Sequence, residues 1–274
     1  MSIFSFFFDK QQFKKIIYIF LLFNFSFFAY AIEITVATGI NDDPPYVYGD
    51  EKIVKKYPGV TIEILQLIEK KTNIIFIIKK LPWKRVVHEV KINKLDGGFH
   101  FSFKEDRKSF VAYPIIKGKK SANPKYSISN RSYSLYKLKD KKLKWDGKKI
   151  IMNPKTNIGV IRGSSITDTI RTLGYKPFEV NTDLQLIKGL VKQRYSAFIA
   201  LENMLDPKIK LFQLNEKISI EKLSPSVVSK PYYIAFSKKF YQNHSKIAWQ
   251  IWNAIELIKK SGELDKIFMK YSTK

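Results

Sequence analysis

Apolar positions along this chain follow two alternating periods. Residues 34–37 (Ile-Thr-Val-Ala) form a short apolar run that reads as a buried first strand. Asp42-Asp43-Pro44-Pro45 then breaks the chain into a loop. Over 61–71, Ile64, Leu65, Leu67 and Ile68 recur at helical spacing, and the run 74–78 predicts a strand. Val86, Val87 and Val90 share one face of a helix over 84–94, and 96–103 reads as the next strand. The opening is thus β-α-β-α-β, the pattern of an α/β unit with a largely parallel sheet.

Residues 118–149 are polar and lysine-rich; they hold Tyr126, Tyr133, Tyr136 and Trp145 but show no clean period. A second α/β unit follows. Its predicted parts are a strand over 157–161, the turn Gly163-Ser164-Ser165 opening a helix, and a short strand over 178–180. A helix over 184–193, capped by Thr182 or Asp183, and strands over 197–201 and 210–214 complete it. The last stretch predicts a strand over 232–236 and a helix over 245–260 with Ile247, Ile251, Ile255 and Ile258 on one face. Gly262 stands where a glycine ends a helix, and a final helix is predicted over 264–271.

The N-terminus has a different character. Lys10, Lys14 and Lys15 precede an apolar run over 16–31 that ends in Ala29-Tyr30-Ala31, a small-x-small pattern. This is the signature of a secretory signal peptide over 1–31, with cleavage after Ala31 and a periplasmic product. The alternative is a retained N-terminal anchor, but the run is shorter than the ~20 residues a spanning helix needs.

Composition narrows the function classes. A chain of 274 residues, 45% hydrophobic and 15% aromatic, can bury a sizeable core and is not disordered. The absence of cysteine excludes disulfides, thiolate metal sites and a cysteine nucleophile. A net charge of +25 suits nucleic acid or an anionic surface. The lysines, however, are scattered, in separated pairs such as Lys55-Lys56, Lys119-Lys120 and Lys148-Lys149, which reads as a solvated basic surface with no nucleic-acid partner. His88, His100 and His244 lie far apart, so neither a metal site nor another cofactor is expected. No phosphate-binding glycine loop and no Gly-x-Ser-x-Gly string occurs.

Three strings in order carry a resemblance. The first runs through Pro82-Trp83-Lys84-Arg85, Lys94-Leu95-Asp96-Gly97-Gly98 and Lys104-Glu105-Asp106-Arg107; the second is 158–165, Ile-Gly-Val-Ile-Arg-Gly-Ser-Ser; the third is 261–267, Ser-Gly-Glu-Leu-Asp-Lys-Ile. Together they resemble the extracellular solute-binding proteins of amino-acid ABC transporters, over residues 34–271. The resemblance implies the type II periplasmic-binding-protein fold, two α/β lobes with a ligand cleft between them. It divides the chain into lobe 1 at 32–117 and 224–274 and lobe 2 at 118–223, with crossings near 114–118 and 223–230. It further implies a monomer that captures a small carboxylate-bearing solute, an amino acid or a relative, by hinge closure for an inner-membrane permease or a sensor.

Family roles transfer onto specific positions. Arg107 corresponds to the arginine whose planar fork holds the ligand carboxylate, against the reading of a surface arginine in the charged turn Lys-Glu-Asp-Arg-Lys. Trp83 stands where an aromatic meets the ligand side chain, and is equally readable as a core tryptophan. Ser165 matches the hydroxyl residue of the second lobe's turn, with Ser164 an equal donor by chemistry and a plain helix cap the alternative. Glu202 loosely matches an acid that pairs with a ligand amine, against the reading of a surface glutamate. Tyr46 reaches the cleft or packs. One departure stands out: Phe99-His100-Phe101-Ser102 replaces the usual serines and threonines before the arginine. Ser102 keeps one contact there, and His100 stands in for another with a pH-sensitive group. The alternative function is an enzyme on the same fold, of the cyclohexadienyl-dehydratase type, with His100 or Glu202 as acid or base.

Overall fold

The computed structural model describes residues 31–49, 57–152, 156–216 and 218–272. Except for Ala31, the expected export segment lies outside the described residues. Among the described residues, no helix is long and apolar enough to cross a membrane.

The first apolar run forms β1 (Ile32–Gly39), which pairs in parallel with β2 (Ile74–Leu81) on one side and β3 (Gly97–Ser102) on the other. The connections are α1 (Val60–Lys71) and α2 (Trp83–Lys91). Helix α1 buries Ile64, Leu65 and Ile68 of the predicted stripe together with Val60, and α2 buries Val86 and Val90, while Leu67 and Val87 are only partly buried. Gly98 lets β1 and β3 approach closely: a Cβ there would stand 2.8 Å from the Ala37 carbonyl oxygen and 2.7 Å from the Phe101 ring.

The second unit repeats the arrangement. In it, β8 (Ile158–Ile161) lies between β9 (Pro177–Val180) and β10 (Ala197–Leu201), all parallel, with α3 (Ile166–Thr172) and α4 (Asp183–Val191) as connections. The Thr182 hydroxyl caps α4 by accepting from the Gln185 amide at 3.2 Å.

Two long antiparallel strands join the units into one mixed sheet. These are β5 (Ser129–Leu138) and β11 (Ile220–Ser237). The C-terminal part of β11 pairs with β3, and its remainder pairs with β5, which also pairs with β10. The order is β2-β1-β3-β11-β5-β10-β8-β9, with the short strand β4 (Val111–Ala112) added on β11. A small hairpin, β6 (Lys144–Trp145) with β7 (Ile150–Ile151), stands apart. Four apolar clusters flank the sheet, two per lobe. Ala122, Tyr126 and Ile128 pack into the clusters of the first lobe, just before β5 begins.

The sheet is bulged where the site is built. Tyr233 pairs with Phe101 but the next residue, Ile234, pairs with Phe99, so His100 is the extra residue on β3. Its φ is 66°, left-handed, a conformation histidine tolerates better than most side chains. The bulge sends Phe99 and Phe101 into different apolar clusters and frees His100 to turn towards the interlobe space.

One expectation needs correction. Residues 210–214 are not a strand but part of α5 (Glu202–Glu216). The alternation Lys208-Ile209-Lys210-Leu211 imitates a strand, yet the buried face is Leu205 and Ile209, one helical turn apart. The penultimate helix, predicted over 245–260, follows a kink at His244 (φ −134°, ψ 39°) within α6 (Lys238–Lys260); the helical turn before the kink is capped by the Ser237 hydroxyl, which accepts from the Phe240 amide. The closing helix is α7 (Glu263–Ser272), reached through Gly262 at a φ of 74°.

Candidate functional site

A cavity of about 350 Å³ lies between the lobes, a volume suited to a small organic ligand. Lobe 1 contributes Thr38, Asp43, Trp83, His100, Ser102 and Arg107. The joining strands contribute Arg131, Tyr133 and Tyr232. Lobe 2 closes it with Ser164, Ser165, Asp183 and an apolar wall that includes Ile161, Ile199 and Leu201.

Arg107 sits on a single 3-10 turn, Glu105–Ser109, directly after β3. The residue is 4% exposed. It donates through Nη1 to the Ser102 carbonyl (3.3 Å) and through Nη2 to the Gly163 carbonyl of the opposite lobe (2.8 Å). The rings of Trp83 and Phe101 lie 5.9 and 5.6 Å from its Cζ, within cation–π range. Among the described residues no carboxylate forms an ion pair with it. The Tyr113 hydroxyl also donates to the Ser102 carbonyl, and burial pushes its pKa up to about 12.

The lobes meet across the cavity mouth. Ser102 Oγ donates to Ser165 Oγ at 2.6 Å, and Trp83 Nε1 donates to the Gly163 carbonyl at 3.3 Å. Ser165 occupies the N-cap position immediately before α3, but its side chain makes no capping bond; the hydroxyl meets Ser102 instead. Lys104 and Asp168 pair at 3.3 Å, and Lys230 Nζ donates to the Ser165 carbonyl. On the far side, Asn203 Nδ2 donates to Asp43 Oδ1 at 2.8 Å and to the Pro44 carbonyl at 2.7 Å.

A second charged group lies deeper. Arg131 Nη1 contacts Asp43 Oδ2 at 2.5 Å, and His100 Nδ1 lies 3.2 Å from the same oxygen. Burial opposes ionisation of Asp43, but Arg131 and His100 outweigh it and hold the carboxyl well below the usual range. Burial and the Arg131 charge lower His100 to about 4, Asp43 opposing them, so the imidazole is neutral at neutral pH. Its two nitrogens contact the Thr38 and Thr61 hydroxyls at 3.3 and 2.9 Å. The Tyr133 and Tyr232 hydroxyls bond each other at 2.7 Å, and Arg131 stacks within 5.0 Å of the Tyr232 ring.

The structure therefore brings together Arg107, Trp83, Ser102, His100, Ser164 and Ser165 around one cavity. Two anticipated residues do not line it. Tyr46 is buried in the core of the first lobe, its ring 4.1 Å beneath Arg131. Glu202 begins α5 and faces the joining strands, where it accepts from Ser134 (2.7 Å) and Ser226 (2.6 Å), with Lys222 at 3.8 Å. Arg131, Asp43 and Asp183 line the cavity without having been anticipated. Asp43 belongs to a loop whose prolines mask its chemistry, and Arg131 lies in the stretch without a clean period.

Comparisons with known proteins bear on the fold and the family. No curated protein sequence matches the chain. Among solved structures, an arginine third transport system periplasmic binding protein from Legionella pneumophila superposes with a TM-score of 0.66 at 12% identity, covering 88% of this chain and 99% of that one. The arginine-, lysine-, histidine-binding protein ArtJ from Geobacillus stearothermophilus gives 0.63 at 16% identity, over 88% and 96% of the two chains. The ancestral amino acid-binding protein AncCDT-1, a precursor of cyclohexadienyl dehydratase, gives 0.61 at 15% identity, over 87% and 94%. At these identities the likeness is one of fold. The profile of the bacterial extracellular solute-binding proteins, family 3, matches residues 34–274, so the chain belongs to that family.

Proposed function

We propose that this protein captures a small carboxylate-bearing solute, an amino acid or a relative of one, in the cavity between its lobes. The observation that carries the reading is Arg107: a buried arginine on the cavity wall that donates to two backbone carbonyls and forms no ion pair with a carboxylate among the described residues. A charge in that setting is matched by a ligand carboxylate, which the planar fork can grip through two charge-assisted hydrogen bonds. Amino-acid binding named for the structural neighbours supports the same ligand class. In this reading lobe motion hinges on β5 and β11, and the filled, closed form is handed to a permease of the ABC type after export to the periplasm as a monomer.

Capture rather than catalysis is favoured by the state of the two residues that could serve as acid or base. His100 has both ring nitrogens engaged, by Thr38 and Asp43 at Nδ1 and by Thr61 at Nε2, and Glu202 lies away from the cavity.

The test is thermal unfolding of the purified protein against amino acids, dicarboxylates and small peptides, with Arg107→Ala in parallel. A ligand at about 100 times its dissociation constant adds ~2.7 kcal/mol of stability. The expected result is a shift in the wild type that disappears in Arg107→Ala. Silence towards every carboxylate, together with an aromatic product from prephenate or arogenate, would sink the binding reading in favour of the dehydratase.

A further inference from the structure

Among the polar side chains of the described residues, two buried atoms are left without a hydrogen-bond partner: Arg131 Nη2 and Ser164 Oγ. Both residues line the cavity. A buried donor without a partner is costly, and a guanidinium nitrogen can only donate. Arg131 is otherwise fully engaged: Nε donates to Ser129 Oγ at 3.2 Å, Nη1 to Asp43, and its plane stacks on Tyr46 and Tyr232. The residue is 4% exposed, and those contacts fix its orientation.

The carboxylates of the cavity are in the opposite condition. Asp43 accepts from Arg131 and Asn203 and contacts His100, while Asp183 is paired with Lys208. Glu202, the expected partner of an amine, is turned towards Ser134 and Ser226. The wall thus holds uncommitted donors and no uncommitted carboxylate among the described residues. Tyr133 lies in the field of both Arg107 and Arg131, and its hydroxyl bonds that of Tyr232 between them. The two guanidiniums are two anchor points along one cavity.

Resting on the reading of Arg107 as a carboxylate clamp, we propose that Arg131, with Ser164, receives a second acidic group of the same ligand. The ligand class is a short dicarboxylate, either an acidic amino acid or a plain diacid, and not a basic amino acid. Arg131 then sets specificity, Asp43 holding its guanidinium in place while Nη2 addresses the ligand. The second carboxylate satisfies that nitrogen by a charge-assisted bond.

The experiment is calorimetric titration of the purified protein with L-glutamate, L-aspartate, glutarate, succinate, L-glutamine and L-arginine. A dicarboxylate should bind at least about tenfold more tightly than glutamine, whose terminal amide matches glutamate in shape but not charge, and arginine should bind more weakly still. Glutamate against glutarate separates an acidic amino acid from a plain diacid. Replacing Arg131 alone strands Asp43 as a buried charge. The paired variant Arg131→Gln with Asp43→Asn removes both charges together, and should reduce the glutamate-to-glutamine ratio to within about threefold. Should that variant not fold, the wild-type series decides alone. Glutamine or arginine binding as tightly as every dicarboxylate overturns the assignment of Arg131, and leaves the Arg107 clamp standing if Arg107→Ala abolishes that binding. Absence of binding by every carboxylate overturns both.

Discussion

His100 shows how one residue ties the backbone to the site. The bulge on β3 makes it the unpaired residue, and its left-handed φ lets the ring reach Asp43 and Thr61 while the chain continues to Ser102. Its pKa is lowered from 6.5 to about 4 by burial and Arg131. A group with a depressed histidine pKa takes up its proton in the unfolded chain first, so stability falls as pH drops from 6.5 towards 4 and then levels for this group. A shift of that size corresponds to about 3 kcal/mol. Asp43 acts lower: its contribution is present above the unfolded value of 3.8 and is lost as pH falls below it. Replacing His100 by Asn, which also tolerates a positive φ, should flatten urea-unfolding stability between pH 6.5 and 4 while leaving the loss at lower pH. An undiminished slope in His100→Asn would remove the imidazole as its source. In the sequence, His100 is visible as a departure from the family pattern, because it interrupts a familiar string. Arg131 is not, because the Ser-Asn-Arg-Ser-Tyr-Ser run carries no period that marks one side as buried. Its burial is decided by pairing with β11, about a hundred residues away.

At the scale of elements, legibility follows the range of the contacts. Helix α1 and strand β2 are legible because each buries one side set by its own local period, and β1 and β3 because each is a short apolar run buried on both faces. Strand β5 was not, since both its neighbours are distant in sequence, and α5 was misread at its C-terminal end because lysines alternate with Ile209 and Leu211. The start of α5 has the larger consequence. An acid at the end of β10 suggests a ligand contact, but Glu202 is the first residue of the helix, and its carboxylate turns to the joining strands. There it accepts from one serine on β5 and one on β11, clasping the two strands that join the lobes. Glu202→Ala should cost about 1–3 kcal/mol of stability, since two hydroxyls lose their acceptor, while ligand affinity stays within about twofold. Denaturation and calorimetry on the same variant separate the effects. A large loss of affinity with unchanged stability would return Glu202 to the ligand and weaken the case that the cavity lacks an uncommitted carboxylate.

For the whole molecule, the question is what holds the lobes together around a cavity. The mouth side is bridged by Ser102 to Ser165, Arg107 to the Gly163 carbonyl, and Lys104 to Asp168. Most of these groups also meet the ligand in the proposed reading, so removing them confuses closure with binding. The far side offers a cleaner lever. Asn203 does not line the cavity, yet its Nδ2 joins α5 of lobe 2 to Asp43 and Pro44 of lobe 1. Both hydrogen bonds exist only while the lobes are together, so they favour the closed form alone. Removing them in Asn203→Ala should cost that form about 1–2 kcal/mol. Because apparent affinity scales with the population of the binding-competent form, ligand binding should weaken by up to about five- to thirtyfold with no contact to the ligand removed. Small-angle scattering gives the structural half of the test. The unliganded variant should be more extended than the wild type, and the two should converge when saturated, since ligand binding repays the lost closure energy. Equal affinity and equal scattering would show that closure does not depend on the far-side contact, and would assign it to the mouth and the strands β5 and β11. A weakened affinity with convergent shapes would instead identify Asn203 as a latch, and tie the DDPP loop, legible in the sequence only as a chain break, to ligand capture.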